Sequence, residues 1–149
     1  MFCLDTNVLA YAEGLNDSER QTQALQTIAQ LPVGTPVVPI QVLGELFRVL
    51  TMKAKRPPAV AREAILSWRD AMATRDTTAM AFLAAMDLAA DHRLSIWDAI
   101  IMAVAAEAGC RLLLSEGLQE GFTWRGVTVV NPFAETPHPL LSAALAPTP

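Results

Sequence analysis

The 149-residue chain is poor in charge, holds only two cysteines, and lacks any long uninterrupted apolar run. Charged residues make up 17% against 52% hydrophobic, which excludes a disordered polar chain and predicts one compact core. Polar residues break every apolar segment, including the alanine-rich stretch near residue 82, well short of a membrane span. No basic stretch leads into an apolar one at the start, where Asp5 interrupts the only candidate. No signal peptide is read, and a cytoplasmic protein is expected. Cys3 and Cys110 sit in apolar contexts without metal-ligand spacing, so they read as reduced core thiols rather than a disulfide. A glycine-rich phosphate loop is missing as well, which weakens nucleotide binding or phosphoryl transfer to Asp5 as a function. The net charge of −4 counts against a broadly nucleic-acid-binding surface.

What is present is an alternation of short apolar runs and helical periodicity. Residues 1–4 read as a buried strand leading into a helix from Thr6 to Glu13. Ser18 and Gln21 are spaced as a capping box for a helix reaching about Gln30, which Pro32 and Gly34 stop. Pro36-Val37-Val38 predicts a second strand. Helices are expected over Gln41–Met52, over Ala59–Met72 behind Pro57-Pro58, over Ala79–Asp91 capped by Thr77 or Thr78, and from Ser95 to Gly109. Leu112–Leu114 and Val127–Val130 are the remaining strand candidates. Strands separated by helices predict an α/β domain with a mainly parallel sheet covered on both faces. No repeat or second domain is read. Residues 1–135 form the domain, and the proline-bearing segment 136–149 is expected to be a loosely packed tail.

Three carboxylates stand where structure alone seldom puts them. Asp5 follows the first strand directly, Glu45 sits within the apolar string VLGELFRVL, and Asp98 lies in LSIWDAIIM. An ionised carboxylate buried without a partner costs several kcal/mol, on the order of more than a hydrogen bond returns. Each has a plainer reading taken singly. Asp5 can cap the helix at Thr6, Asp98 can complete a capping box with Ser95, and Glu45 can reach solvent or pair with Arg48. Together they predict a crevice at the C-terminal ends of the strands, where a hard divalent cation relieves their repulsion. Such an ion activates water and steadies charge on a phosphodiester, so a metal-dependent phosphodiesterase follows. Asn7 offers an orienting hydrogen bond. Arg48, Lys53, Lys55, Arg56 and Arg62 come with no acid among them before Glu63; they form either a solvated face or a patch that touches phosphates.

With these residues in place, the chain resembles the PIN-domain ribonucleases, and more narrowly the VapC-type toxins of toxin–antitoxin pairs. The likeness runs in order through LDTNVLAY, VLGELFRVL, LSIWDAIIMAVAAEAGC, LLLSEGLQEG and VTVVNPF, to about residue 133. It implies a three-layer α/β/α sandwich and cleavage of RNA that depends on Mg²⁺ or Mn²⁺, with transfer RNA a reasonable substrate class. By position, Asp5, Glu45 and Asp98 look like the catalytic and metal-binding acids, supported by Thr6, Asn7, Ser115 and Glu116. Arg48, Lys53, Lys55 and Arg56 then read as contacts to RNA phosphates. The resemblance also implies a homodimer blocked by a cognate antitoxin. One departure stands out. Family members commonly read Ser-Glu-Asp where this chain has Ser115-Glu116-Gly117, so a fourth acid is missing, and Glu120 is only a remote substitute. A catalytically silent module that binds RNA or a protein is the competing reading.

Overall fold

A computed structural model of the chain describes residues 1–147. Six strands form one sheet: β1 (Phe2–Leu4), β2 (Pro36–Pro39), β3 (Ala73–Arg75), β4 (Leu112–Leu114), β5 (Thr123–Trp124) and β6 (Val127–Val130). Their spatial order is β3-β2-β1-β4-β6-β5, and every pairing is parallel except that of β5 with β6. The central strands β1 and β4 are unbroken apolar runs, FCL and LLL, and β6, VTVV, is broken only by Thr128, because parallel strands covered on both faces have little polar side to show.

The helices are α1 (Thr6–Ala12), α2 (Ser18–Gln30), α3 (Ile40–Met52), α4 (Pro58–Ala71), α5 (Ala79–His92), α6 (Ile96–Glu107) and α7 (Pro139–Leu145). They fall into two groups. α1 packs with α2 and α3, and α3 with α4, while α5 pairs with α6, which lies along β2 and β6. The result is an α/β/α sandwich. Residues Ala99–Ala105 of α6 are all buried, so that helix is apolar almost all round. Gly109, at φ +77°, turns the chain out of α6 toward β4.

Several local expectations shift. The cap of α2 is Asp17, which accepts from the Glu19 and Arg20 amides, whereas Ser18 is already helical and Gln21 instead donates to the Ala12 carbonyl. The edge strands β3 and β5 are too short and polar to show a period. The proline-bearing tail is not wholly loose: His138 caps α7, and Leu141 is buried against the core at 3% exposure. Both cysteines are buried and unbridged. No helix among the described residues is long and apolar enough to cross a membrane.

Candidate active site

Strand order creates the crevice. From β1 the chain moves outward to β2 and β3, then returns to place β4 on the other side of β1. Ligands bind in open α/β sheets where the order reverses in this way, beyond the carboxyl ends of the strands. Asp5 and Ser115 are the first residues past β1 and β4, and the register pairs Leu4 with Leu114. The Asp5 amide donates to the Leu114 carbonyl at 3.0 Å, which locks the two ends together.

Asp5 plays its plainer role too. Its Oδ1 accepts from the Thr6 amide at 2.7 Å as the cap of α1, while Oδ2 accepts from the Ser115 hydroxyl at 2.8 Å. Only 6% of it is exposed. Burial pushes its carboxyl up from the usual 3.8 to about 6; the Ser115 and Thr6 hydrogen bonds pull it back, and Asp98 and Glu45 raise it again. Asp98 caps nothing itself. Its amide donates to Ser95, the cap of α6, and burial raises its carboxyl, opposed by Ser95 and assisted by Glu45. Glu45 lies in the second turn of α3, which follows β2 without a loop. It accepts from the Thr6 hydroxyl and, at 3.0 Å, from Gln41, whose amide also donates to the Trp97 carbonyl.

The three acids line one cavity of about 350 Å³, together with Thr6, Asn7, Tyr11, Val49, Lys53 and Gly117. Neither ion pair found among the described residues involves them. Burial, with smaller repulsion from Asp98 and Glu45, makes the charged form of Asp5 costly, and a bound cation would relieve that cost. An all-oxygen, carboxylate-rich donor set suits Mg²⁺ or Mn²⁺, so the residues fit such an ion in their donor chemistry. They are gathered loosely: among the described residues no three acids stand close enough to hold an ion as placed.

The other expected residues divide. Asn7 donates to Ser115 Oγ at 3.3 Å and accepts from the Glu116 amide at 3.1 Å. Lys53 lines the cavity, and Arg48 and Lys55 are exposed. Arg56 is engaged elsewhere. It pairs with Glu13 Oε1 at 2.6 Å and donates to the Glu13 carbonyl, tying α1 to the α3–α4 turn, with Trp68 on the same carboxylate. A guanidinium held that way is structural. Glu116 turns away from the cavity toward Tyr11 and Arg20, and Glu120 accepts from the Asn131 amide at 3.4 Å. Neither replaces the missing acid. Gly117 has room for one, because an added Cβ would meet only the Asn7 amide nitrogen at 3.6 Å.

Sequence reasoning missed Gln41 and Tyr11. The first was visible as a polar residue one turn before Glu45; nothing local marked the second.

The pattern that defines the PIN domain matches residues 2–118. No relative is found among the curated proteins. Solved structures with a similar fold include VapC20 of Mycobacterium tuberculosis, described as a sarcin-ricin loop cleaving toxin. It is 22% identical with a TM-score of 0.64, over 76% of this chain and 87% of that one. A toxin–antitoxin complex from Klebsiella pneumoniae is 17% identical with a TM-score of 0.68, over 89% and 98%. FitAcB from Neisseria gonorrhoeae is 18% identical with a TM-score of 0.62, over 89% and 99%.

Proposed function

The chain belongs to the PIN-domain family, and from that premise we propose that it is a metal-dependent endoribonuclease, the toxin of a toxin–antitoxin pair. The observation that carries this reading is that Asp5, Glu45 and Asp98 line one cavity at the strand-order reversal. These acids are the proposed ligands of Mg²⁺ or Mn²⁺. When bound, that ion lowers the pKa of water and neutralises charge on the phosphodiester under attack.

The rest is done by the chain's own groups. Ser115 and the Thr6 amide hold the Asp5 carboxylate in one orientation. Thr6 and Gln41 hold Glu45 toward the same cavity. Ser95 starts the helix that presents Asp98. Lys53 on the cavity wall, with Arg48 and Lys55 outside it, contacts phosphates flanking the cleaved bond. The substrate is RNA, with structured forms such as transfer RNA the first to test.

The proposed partners are a cognate antitoxin and a second copy of the chain. Exposed Met80, Phe82, Leu83 and Met86 on α5, and Phe47 and Met52 on α3, supply apolar surface for them. Unbridged Cys3 and Cys110 are in keeping with a reducing cytoplasm.

Gly117 favours a second reading, a silent module that binds RNA or a partner without cutting. RNA cleavage by the purified chain, with and without Mn²⁺, beside Asp5→Asn and Glu45→Gln separates the two. Cleavage that needs the metal and both acids supports the nuclease. A parent that binds RNA yet leaves it intact at generous Mn²⁺ supports the module.

A further inference from the structure

We propose that Arg20, on α2 and outside the acid cavity, is a positioning residue that sets the Ser115–Gly117 turn, and through it Asp5, by holding the Glu116 side chain. Its guanidinium Nη1 lies 3.3 Å from Glu116 Oε2, a charge contact rather than a hydrogen bond, and donates to the Phe133 carbonyl at 3.2 Å. The same guanidinium stands 5.8 Å from the Tyr11 ring centroid and 5.2 Å from that of Phe133, within cation–π range of both. Those two rings meet edge to face at 5.0 Å. Tyr11 donates to the other Glu116 oxygen at 3.0 Å, so the carboxylate is gripped on both sides.

From Glu116 the connection to the acids is continuous. Its amide donates to Asn7 Oδ1 at 3.1 Å, and Asn7 Nδ2 donates to Ser115 Oγ at 3.3 Å. Ser115 Oγ in turn accepts from the Gly117 and Leu118 amides and donates to Asp5 Oδ2 at 2.8 Å. Gly117 has no side chain to anchor this turn from the cavity side. The Asn7 and Ser115 hydrogen bonds hold its backbone, and the grip on Glu116 is the side-chain anchor that fixes it from behind. The grip also explains why Glu116, although next to the vacant position, stays out of the site. Outer groups that orient ligands typically contribute roughly 10- to 100-fold to metal affinity or activity. The positioning rests on these contacts, and its effect on cleavage rests on the nuclease reading above.

The test compares the full chain with Arg20→Ala, Arg20→Met, Glu116→Gln and the Arg20→Ala/Glu116→Gln double variant. Arg20→Met keeps the apolar stem against the two rings and removes only the charge. Amide exchange read by mass spectrometry is expected to accelerate in peptides covering 115–118 in both Arg20 variants, with protection elsewhere unchanged. Mn²⁺ affinity without RNA is expected to fall about tenfold, as is kcat on a long RNA of mixed sequence, with KM within about twofold. The double variant is expected to match the single ones, because both act through one contact. Unchanged exchange at 115–118 in folded Arg20 variants, or additive losses in the double variant, overturns the proposal. Faster exchange at 115–118 in the Arg20 variants of a parent that cleaves nothing keeps the positioning role and removes the nuclease.

Discussion

The two ends of the same parallel strands carry cavities of comparable size and opposite character. At the C-terminal end, about 350 Å³ is lined by Asp5, Glu45 and Asp98, with hydrogen-bonded supports behind them. At the N-terminal end, about 280 Å³ lies beside the starts of β1, β4 and β6 and helix α7, lined by Phe2, Leu112, Thr128, Leu140 and Ala144, with Arg111 the only charged side chain on its wall among the described residues. The difference follows from strand polarity. Carboxyl ends run straight into α1 and α3, so that Asp5, the cap of α1, and Glu45, in the second turn of α3, reach the crevice. The N-terminal end receives only a helix that closes the apolar core. Carboxylates gather at one end and apolar side chains at the other.

The largest expected effect separates the ends by activity. Asp5→Asn or Glu45→Gln is expected to lower the cleavage rate about 1,000-fold, since a metal site supplies several kcal/mol of charge stabilisation. Arg111→Ala, at the other end, leaves the rate unchanged in the same assay. Stability separates them next. Leu141→Ala is expected to cost about 3 kcal/mol in denaturant unfolding at every pH, as a core truncation does.

The acid end, by contrast, depends on pH. The folded carboxyl of Asp5 lies at about 6, above its usual 3.8, so the folded state favours its protonated form. Its contribution to stability is full below pH 4 and is lost as the pH rises through 6, by at most about 3 kcal/mol. Unfolding midpoints of the metal-free chain at pH 5 and 7.5 check this. Asp5→Asn flattens the difference, and saturating Mn²⁺ restores stability at the higher pH.

A smaller change sharpens the acid end. Gly117→Asp, which the backbone accommodates, is expected to tighten Mn²⁺ binding about tenfold, read by calorimetry. Smallest of all, Lys53→Ala weakens RNA binding a few-fold and reduces the slope of log affinity against log salt by about one. Arg56→Ala leaves that slope unchanged, because Arg56 is already committed to Glu13.

The acid end was also the more legible in the sequence. Asp5 announces itself by ending an apolar strand, Glu45 by its apolar neighbours, and Asp98 by opening a buried helix. What stayed hidden depends on contacts between residues far apart in the chain. Nothing near Arg20 points to Glu116, and nothing near Arg56 points to Glu13, so a sequence run of basic residues overstated the free positive charge. The cap of α2 moved by one residue because Asp17 and Ser18 both suit the position. Helix α7 was obscured by the prolines around it, although Leu140-Leu141 and Leu145 already marked an apolar side.

Three acids distant along the chain are proposed to share one divalent cation. Calorimetric titration of Mn²⁺ into the parent chain, Asp5→Asn, Glu45→Gln and Asp98→Asn, all at pH 7.5, tests it most directly. One ion per chain, weakened at least about tenfold by each substitution, is the expected result. Absence of binding, or binding that ignores all three substitutions, contradicts it.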